Sequence, residues 1–285
     1  MRPKARGAPR RDAHNAGMRR NISASSAGAP QVSPDTGTVS RVALLLRLAA
    51  EQREAFTLKD IASAAGLPVP TVHRLLDLLA REGLIAPEGG RRGYRIGTEL
   101  YRIGSLVKVN TPIPRLINGI LSSAVAEVDE TCHFAQYLPA QLAVMFDSSV
   151  DSSHPLDFRW EVHKPLSLVW GASGRTILAY LPEEKVDQAL AAELTWSPTR
   201  TPPTRKELLE ALAEIRRLGY AFTRGQRVPG AMSILAPVFD ENNLIYGALG
   251  FVIPEPRFDP ARMNVLAQTA KKYAGQLSAA LGAPR

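Results

Sequence analysis

The sequence predicts an α+β protein of two folded domains, and three observations carry that prediction. Between residues 57 and 97, a helix, a tight turn, a second helix and a glycine-rich hairpin with a basic tip follow one another. Beyond them, runs of short apolar strands mix with segregated helical segments, the pattern of an α+β domain rather than a doubly wound one. The length of 285 residues fits about two domains.

Taken in order, residues 1–37 read as a disordered basic tail. Its first twenty residues carry seven Lys and Arg against Asp12 alone, so six of the eight net positive charges lie there. Almost no large apolar side chain occurs before Thr36, so this stretch cannot bury a core. It is either a basic arm that reaches phosphates non-specifically, a solvated tail, or the product of a start placed too early, with Met18 as the true start and residues 1–17 untranslated.

Residues 38–97 form the first folded unit. Val39, Val42, Leu46 and Ala49 recur at helical spacing from about Thr38 to Gln52. Thr57 and Asp60 have the spacing of a capping box for the next helix, and Leu58, Ile61, Ala62 and Ala65 give it one apolar face. Gly66 ends it, because glycine tolerates a left-handed backbone. Pro70 suits the first turn of a third helix, where its missing N–H is not needed. That helix, about Pro70 to Glu82, buries Val72, Leu75, Leu76 and Leu79 and turns Thr71, His73, Arg74 and Asp77 outward. Gly83 stops it. Residues 84–86 and 94–96 alternate like strands around the flexible loop Glu88–Arg92.

This order of elements is a winged helix-turn-helix, whose use is to lay its third helix in the major groove of DNA. About a dozen residues make that helix roughly 18 Å long, enough to lie in a groove about 12 Å wide. Pro70 opens it; Thr71 and His73 are the side chains best placed for base edges. Arg74 can pair with guanine or hold a phosphate. Lys59 points toward the DNA backbone, and Arg91 and Arg92 at the wing tip hold phosphates or enter the minor groove. Asp77 on the same face repels phosphate.

Residues 98–110 read as a linking helix, with Leu100, Ile103 and Val107 on a partly apolar face suited to a dimer contact. Thr111-Pro112-Ile113-Pro114 breaks it. Residues 111–285 form the second domain. A helix over about 115–128 leads into apolar segments near 131–137, 141–147, 219–223, 232–239 and 244–252. Helical segments lie near 171–181, 183–191, 204–218 and 260–282, and Asp240-Glu241-Asn242-Asn243 joins two strands as an antiparallel hairpin.

Composition excludes several functions. No run of about 18 apolar residues exists, so nothing spans a bilayer, and no apolar stretch follows the N-terminal charges, so cytoplasmic residence is the default. The single Cys132 rules out an intramolecular disulfide or a multi-cysteine zinc site and reads as a buried core residue. Neither a metal nor a cofactor is expected. Ser173, in Gly171-Ala172-Ser173-Gly174, invites a nucleophile reading, but Arg175 follows Gly174, so G-x-S-x-G is absent. His133, His154 and His163 lack metal-ligand spacing. His163 with Asp157 or Glu161 could be drawn as a base, although such pairs arise easily by chance.

The segment from VSRVALLLRLAAEQREAF through TLKDIASAAGLPVPTVHRLLDLLAREGLI resembles the DNA-binding domain of the IclR family of bacterial transcriptional regulators. GASGRTILAYLPEE and LAEIRRLGYAFTRGQRVPGAMSILAPVFDENNLIYGALGF resemble that family's C-terminal half, so the likeness spans about Thr38 to Gly282. It implies a GAF-like second domain with an antiparallel sheet flanked by helices, binding a small organic acid. Carried over position by position, Trp170, Ala172, Ser173 and Gly174 would line the ligand site before a helix. Thr223, then Ala231, Met232 and Ser233, then Gly250 and Val252 would line it from three strands. The loop is chemically apt, since unpaired amides and the dipole at a helix N-terminus attract a carboxylate. The sequence departs from the family at Thr223-Arg224, where an acidic pair is common. It departs again at Met232, where Arg is frequent, and at Gly250 and Val252, which are often polar. With Trp170, these departures imply an aromatic or larger apolar acid.

The resemblance therefore implies a ligand-responsive regulator, expected to be a repressor of a catabolic pathway. It would work as a homodimer or a dimer of dimers on near-palindromic double-stranded operator DNA. The alternatives are a binding or oligomerisation protein without specific DNA readout, or a hydrolase using Ser173.

Overall fold

A computed structural model describes residues 37–284 apart from 53, 89–92, 157, 159–161 and 197–200. The basic tail, the wing-tip residues Arg91 and Arg92, and Asp157 and Glu161 lie outside the described residues.

The N-terminal unit runs α1 (Thr38–Ala50), β1 (Phe56–Thr57), α2 (Leu58–Ala65), α3 (Val69–Arg81), β2 (Ile85–Glu88) and β3 (Gly93–Ile96). The capping box forms as expected: Thr57 Oγ1 accepts from the Asp60 amide, and Asp60 Oδ2 accepts from the Thr57 amide at 3.0 Å. The Thr57 hydroxyl, which donates to Asp60 Oδ2 at 2.7 Å, and then the Thr57 amide hold the Asp60 carboxyl below its usual range. Gly66 ends α2 in the left-handed region, with φ of 63°. The apolar stripes of the three helices close one core around Leu45, Ile61, Val72, Leu76 and Ile85. The hairpin gains a strand the periodicity did not suggest: β1 pairs antiparallel with β3, and Phe56 stacks on Tyr94. Two residues are too few to show alternation, so only the tertiary pairing reveals that strand.

Helix α4 (Thr98–Asn110) links the units. The break shrinks to Thr111-Pro112: α5 (Ile113–Val128) starts within the expected Thr111–Pro114 segment, because Pro114 fits its first turn. The second unit then runs β4 (Cys132–Leu138), β5 (Ala143–Val150), β6 (Pro165–Leu166), α6 (Gly171–Leu178), α7 (Glu183–Trp196), α8 (Arg205–Leu218), β7 (Ala221–Arg224), β8 (Ala231–Phe239), β9 (Ile245–Pro254) and α9 (Met263–Ala280). Six strands form one antiparallel sheet in the order β6-β5-β4-β9-β8-β7. The short β6 is a further strand the sequence did not disclose.

Because successive strand residues point to opposite faces, the sheet carries two cores. On one face α5 and α9 cover Cys132, Phe134, Met232, Ile234, Leu249 and Phe251. On the other, α6 and α8 cover Ala135, Phe146, Leu235 and Ala248. The first face is closed at one end by Glu130, 1% exposed, which accepts from Arg257 at 2.7 Å and Arg262 at 2.9 Å. Among the described residues, no helix is long and apolar enough to cross a membrane.

Candidate DNA-reading surface and effector site

On α3 the division of labour is plain. Val72, Leu75, Leu76 and Leu79 are buried, while Pro70, His73 and Arg74 are exposed and Thr71 half-buried. Lys59 on α2 is exposed as well. The residues expected at base edges therefore stand on the outer side of a helix whose inner side is anchored. One expectation changes. Asp77 is not simply a repelling charge, since its Oδ2 lies 3.1 Å from His73 Nδ1, one helical turn away. Among the described residues no acid pairs with Arg74, so its guanidinium is the freer of the two groups. Arg95, exposed on β3, is a cation the sequence reading passed over. Its signal was the alternation with Tyr94.

In the second unit, α6 begins at Gly171, whose φ is 77°. Gly174 packs so tightly that a Cβ there would lie 2.6 Å from the Leu168 carbonyl oxygen. Ser173 is buried and Ala172 fully so. Ser173 thus sits in a close-packed helical turn, not on an exposed nucleophile elbow. His163 lies 3.9 Å from Asp147, a pairing the sequence did not anticipate. Among the described residues no cluster of three or more His, Cys, Asp or Glu could hold a metal ion.

The helix end is not bare. The Gly171 amide donates to Gln226 Oε1 at 3.3 Å, and the Ala172 amide to Thr223 Oγ1 at 3.0 Å. The amides expected to meet a carboxylate are capped by neutral oxygens of the chain itself. A ligand carboxylate would replace a neutral acceptor with a charged one, which the helix dipole favours. Thr223, Ser233 and Val252 are direct partners across β7, β8 and β9, and share a face with Gly250 and Ala231. Met232 does not. It lies in the core formed with α5 and α9, on the opposite face. Three consecutive strand residues cannot all face one site, so period-two alternation removes the middle one. Gly250 is required by packing, since a Cβ there would meet the Ile234 carbonyl oxygen at 2.0 Å.

Two unforeseen side chains grip the segment that leads into α6. Glu193 of α7, fully buried, accepts from Ser167 Oγ and from Trp170 Nε1. Arg227 donates to the Ser167 carbonyl at 2.7 Å and to the Trp170 carbonyl. Trp170, expected as a lining residue, is thereby half-buried with its indole N–H committed to Glu193. The signal for Glu193 was present: Val186, Ala189 and Glu193 fall at i, i+3 and i+7, so the buried stripe of α7 runs through an acid.

Known proteins resemble both units. A family model for the bacterial transcriptional regulator IclR C-terminal domain matches residues 107–279, and one for the IclR helix-turn-helix domain matches residues 38–89. The transcriptional repressor IclR of Escherichia coli strain K12 is 26% identical over 88% of this chain and 93% of its own length. The HTH-type transcriptional regulator TtgV of Pseudomonas putida is 29% identical over 77% of this chain and 82% of its own. A crystal structure of an IclR-type regulator from Silicibacter sp. TM1040 superposes with a TM-score of 0.77 at 27% identity, covering 87% of this chain and 97% of that one.

Proposed function

Because the chain belongs to the IclR family and is a DNA-binding transcriptional regulator rather than an enzyme, we propose that it is a homo-oligomeric repressor released or engaged by a small organic acid. The observation that carries the DNA half is α3, with its apolar side buried and Thr71, His73 and Arg74 turned outward. Two copies related by a two-fold axis would read a near-palindromic operator. Helix α4 supports pairing of copies: Tyr101, Ile103, Leu106, Val107 and Val109 are all exposed along it. These apolar side chains are spread around the helix, and those on the side a second copy covers would be removed from water. The repressor role is favoured by relatives named as repressors, among them the acetate operon repressor of Salmonella typhimurium. A regulator of this kind works beside the chromosome, in the cytoplasm.

The effector would enter on the sheet face of Thr223, Ser233 and Val252, with its carboxylate toward the start of α6. Ala172, Ser173, Gly174 and Ala231 keep their proposed places there, Trp170 as part of the gripped frame. Ligand binding would favour one spacing of the winged helices through α4, which requires different affinities for the two arrangements.

Arg74→Ala tests the reading surface. Titrated against an operator selected from random duplexes, it should weaken binding by about 1–3 kcal/mol. An unchanged affinity would remove Arg74 from the reading surface. Arg91 and Arg92 are proposed to hold phosphates; neutralising both should flatten the salt dependence of binding.

A further inference from the structure

Resting on the reading of α3 as the base-reading helix, we infer that Leu78 is a specificity-determining residue that selects a thymine through its 5-methyl group. Val72, Leu75, Leu76 and Leu79 of the same helix are buried in the core of the winged helix. Leu78 is not. It is 45% exposed, and it belongs neither to that core nor to the half-buried apolar side chains packed against it. Helical spacing fixes where it stands. Thr71, Arg74 and Leu78 fall at i, i+3 and i+7, which places them in one row along the outer side of α3. His73 and Asp77 form a second row, joined by the approach of Asp77 Oδ2 to His73 Nδ1 at 3.1 Å.

A lone exposed leucine is ordinary on a protein surface, and it is the row that gives this one a partner. Arg74, one turn before Leu78, is exposed, as is Lys59 on α2. Their charge complements phosphates and, for Arg74, the guanine edge. A side chain in line with Arg74 is carried to the same base edges. In the major groove those edges are donors and acceptors, apart from one apolar group, the C5 methyl of thymine. An isobutyl side chain makes no hydrogen bond. Against the other bases it would cover polar edges without satisfying them, which costs free energy; against thymine it covers a methyl, which is favourable. The spacing also sets the place of that thymine. Four residues along α3 advance about 6 Å, close to two base-pair steps of roughly 3.4 Å each. The thymine therefore belongs one or two base pairs from the base read by Arg74.

Titration of the full-length protein against an operator selected from random duplexes tests this, with each thymine replaced in turn by deoxyuridine, which lacks only the methyl. The wild type should lose about fourfold in affinity at one thymine of each half-site, the effect of one methyl group removed from an apolar contact. That thymine should lie within about two base pairs of the position whose identity Arg74→Ala ceases to distinguish. Leu78→Ala, which keeps a strong helix former at the position, should bind the thymine and deoxyuridine operators equally. A wild type indifferent to every methyl overturns the role of Leu78. So does a methyl dependence that survives Leu78→Ala, and if that variant also loses its oligomeric state in size-exclusion chromatography, Leu78 is a subunit contact instead. If none of Thr71→Ala, His73→Ala and Arg74→Ala alters any base preference, the reading of α3 itself fails.

Discussion

The two faces of the six-stranded sheet come from the same strands and are built to different rules. One is a mainly apolar layer in which Phe134, Ile234, Leu249 and Phe251 meet α5 and α9, with the buried hydroxyls of Thr269 and Ser278 on α9 bonded to Glu127 and the Phe239 amide. Its fully buried acid among the described residues, Glu130, is kept at the margin between two arginines. The other admits buried polar groups into its middle: His133, Thr223, Ser173 and Thr176 are all enclosed beneath or within α6. Burying such groups costs free energy unless each is hydrogen-bonded, so the second face gives up stability that the first supplies. The contrast teaches that a strand of period two can serve a scaffold and a site at once, residue by residue.

The sharpest break in that contrast would come from Met232, which belongs to the scaffold face. Met232→Ala should lower the unfolding free energy by about 2–5 kcal/mol in urea titration, the range for a buried large-to-small change. The surviving folded protein should keep its acid response. A stable variant with an altered response would move Met232 to the other face.

Next in size is the pH dependence of the polar face. Burial pushes the His133 imidazole from 6.5 down to about 4. The unfolded chain then binds the extra proton first, so stability is complete above pH 6.5 and is lost as pH falls toward 4. That displacement corresponds to about 3 kcal/mol at ~1.4 kcal/mol per pH unit. The paired carboxylates Asp60, Asp129 and Glu207 are held low by hydrogen bonds, and their contribution is lost only as pH drops through the carboxylate range. Between about pH 6.5 and 4.5 His133 lowers stability as pH falls, while Glu51, whose carboxyl burial pushes above its usual range, acts in the opposite sense, and His133→Phe should remove the first of these two slopes. A slope unaffected by that substitution would place the proton elsewhere.

The smallest effect concerns the cap of α6. Thr223→Val removes the acceptor of the Ala172 amide and should cost about 1–2 kcal/mol of stability, as an unmade buried hydrogen bond does. It should also change acid affinity by a larger factor than it changes operator affinity. Equal changes in both would make Thr223 a purely structural cap.

What could be read from the chain followed the range of the interactions. Thr57, Asp60 and Gly66 act within a few residues of themselves, so helix α2 and its two ends were legible from spacing alone. Placement of the linking helix and the Asp240–Asn243 hairpin depended on equally local breaks. The effector face was only half legible. Resemblance supplied Ala231, Met232 and Ser233 as one run, but the face each takes depends on register with β7 and β9, which lies outside any local window. Glu193 reaches Ser167 and Trp170 from at least 23 residues away, and Arg227 from at least 57. Their role exists only once α7 and the β7–β8 turn have docked.

The grip of Glu193 and Arg227 on the segment before α6 bears on how such a sensor could be retuned. A library that randomises the 167–174 loop would mostly yield unfolded protein, because that loop is bonded from both sides and packed against itself at Gly174. Diversity placed instead at Ser233 and Val252 would vary the sheet face under an intact frame. If the proposed effector site is right, ligand preference in this scaffold should therefore drift through the sheet, while the segment before α6 stays fixed.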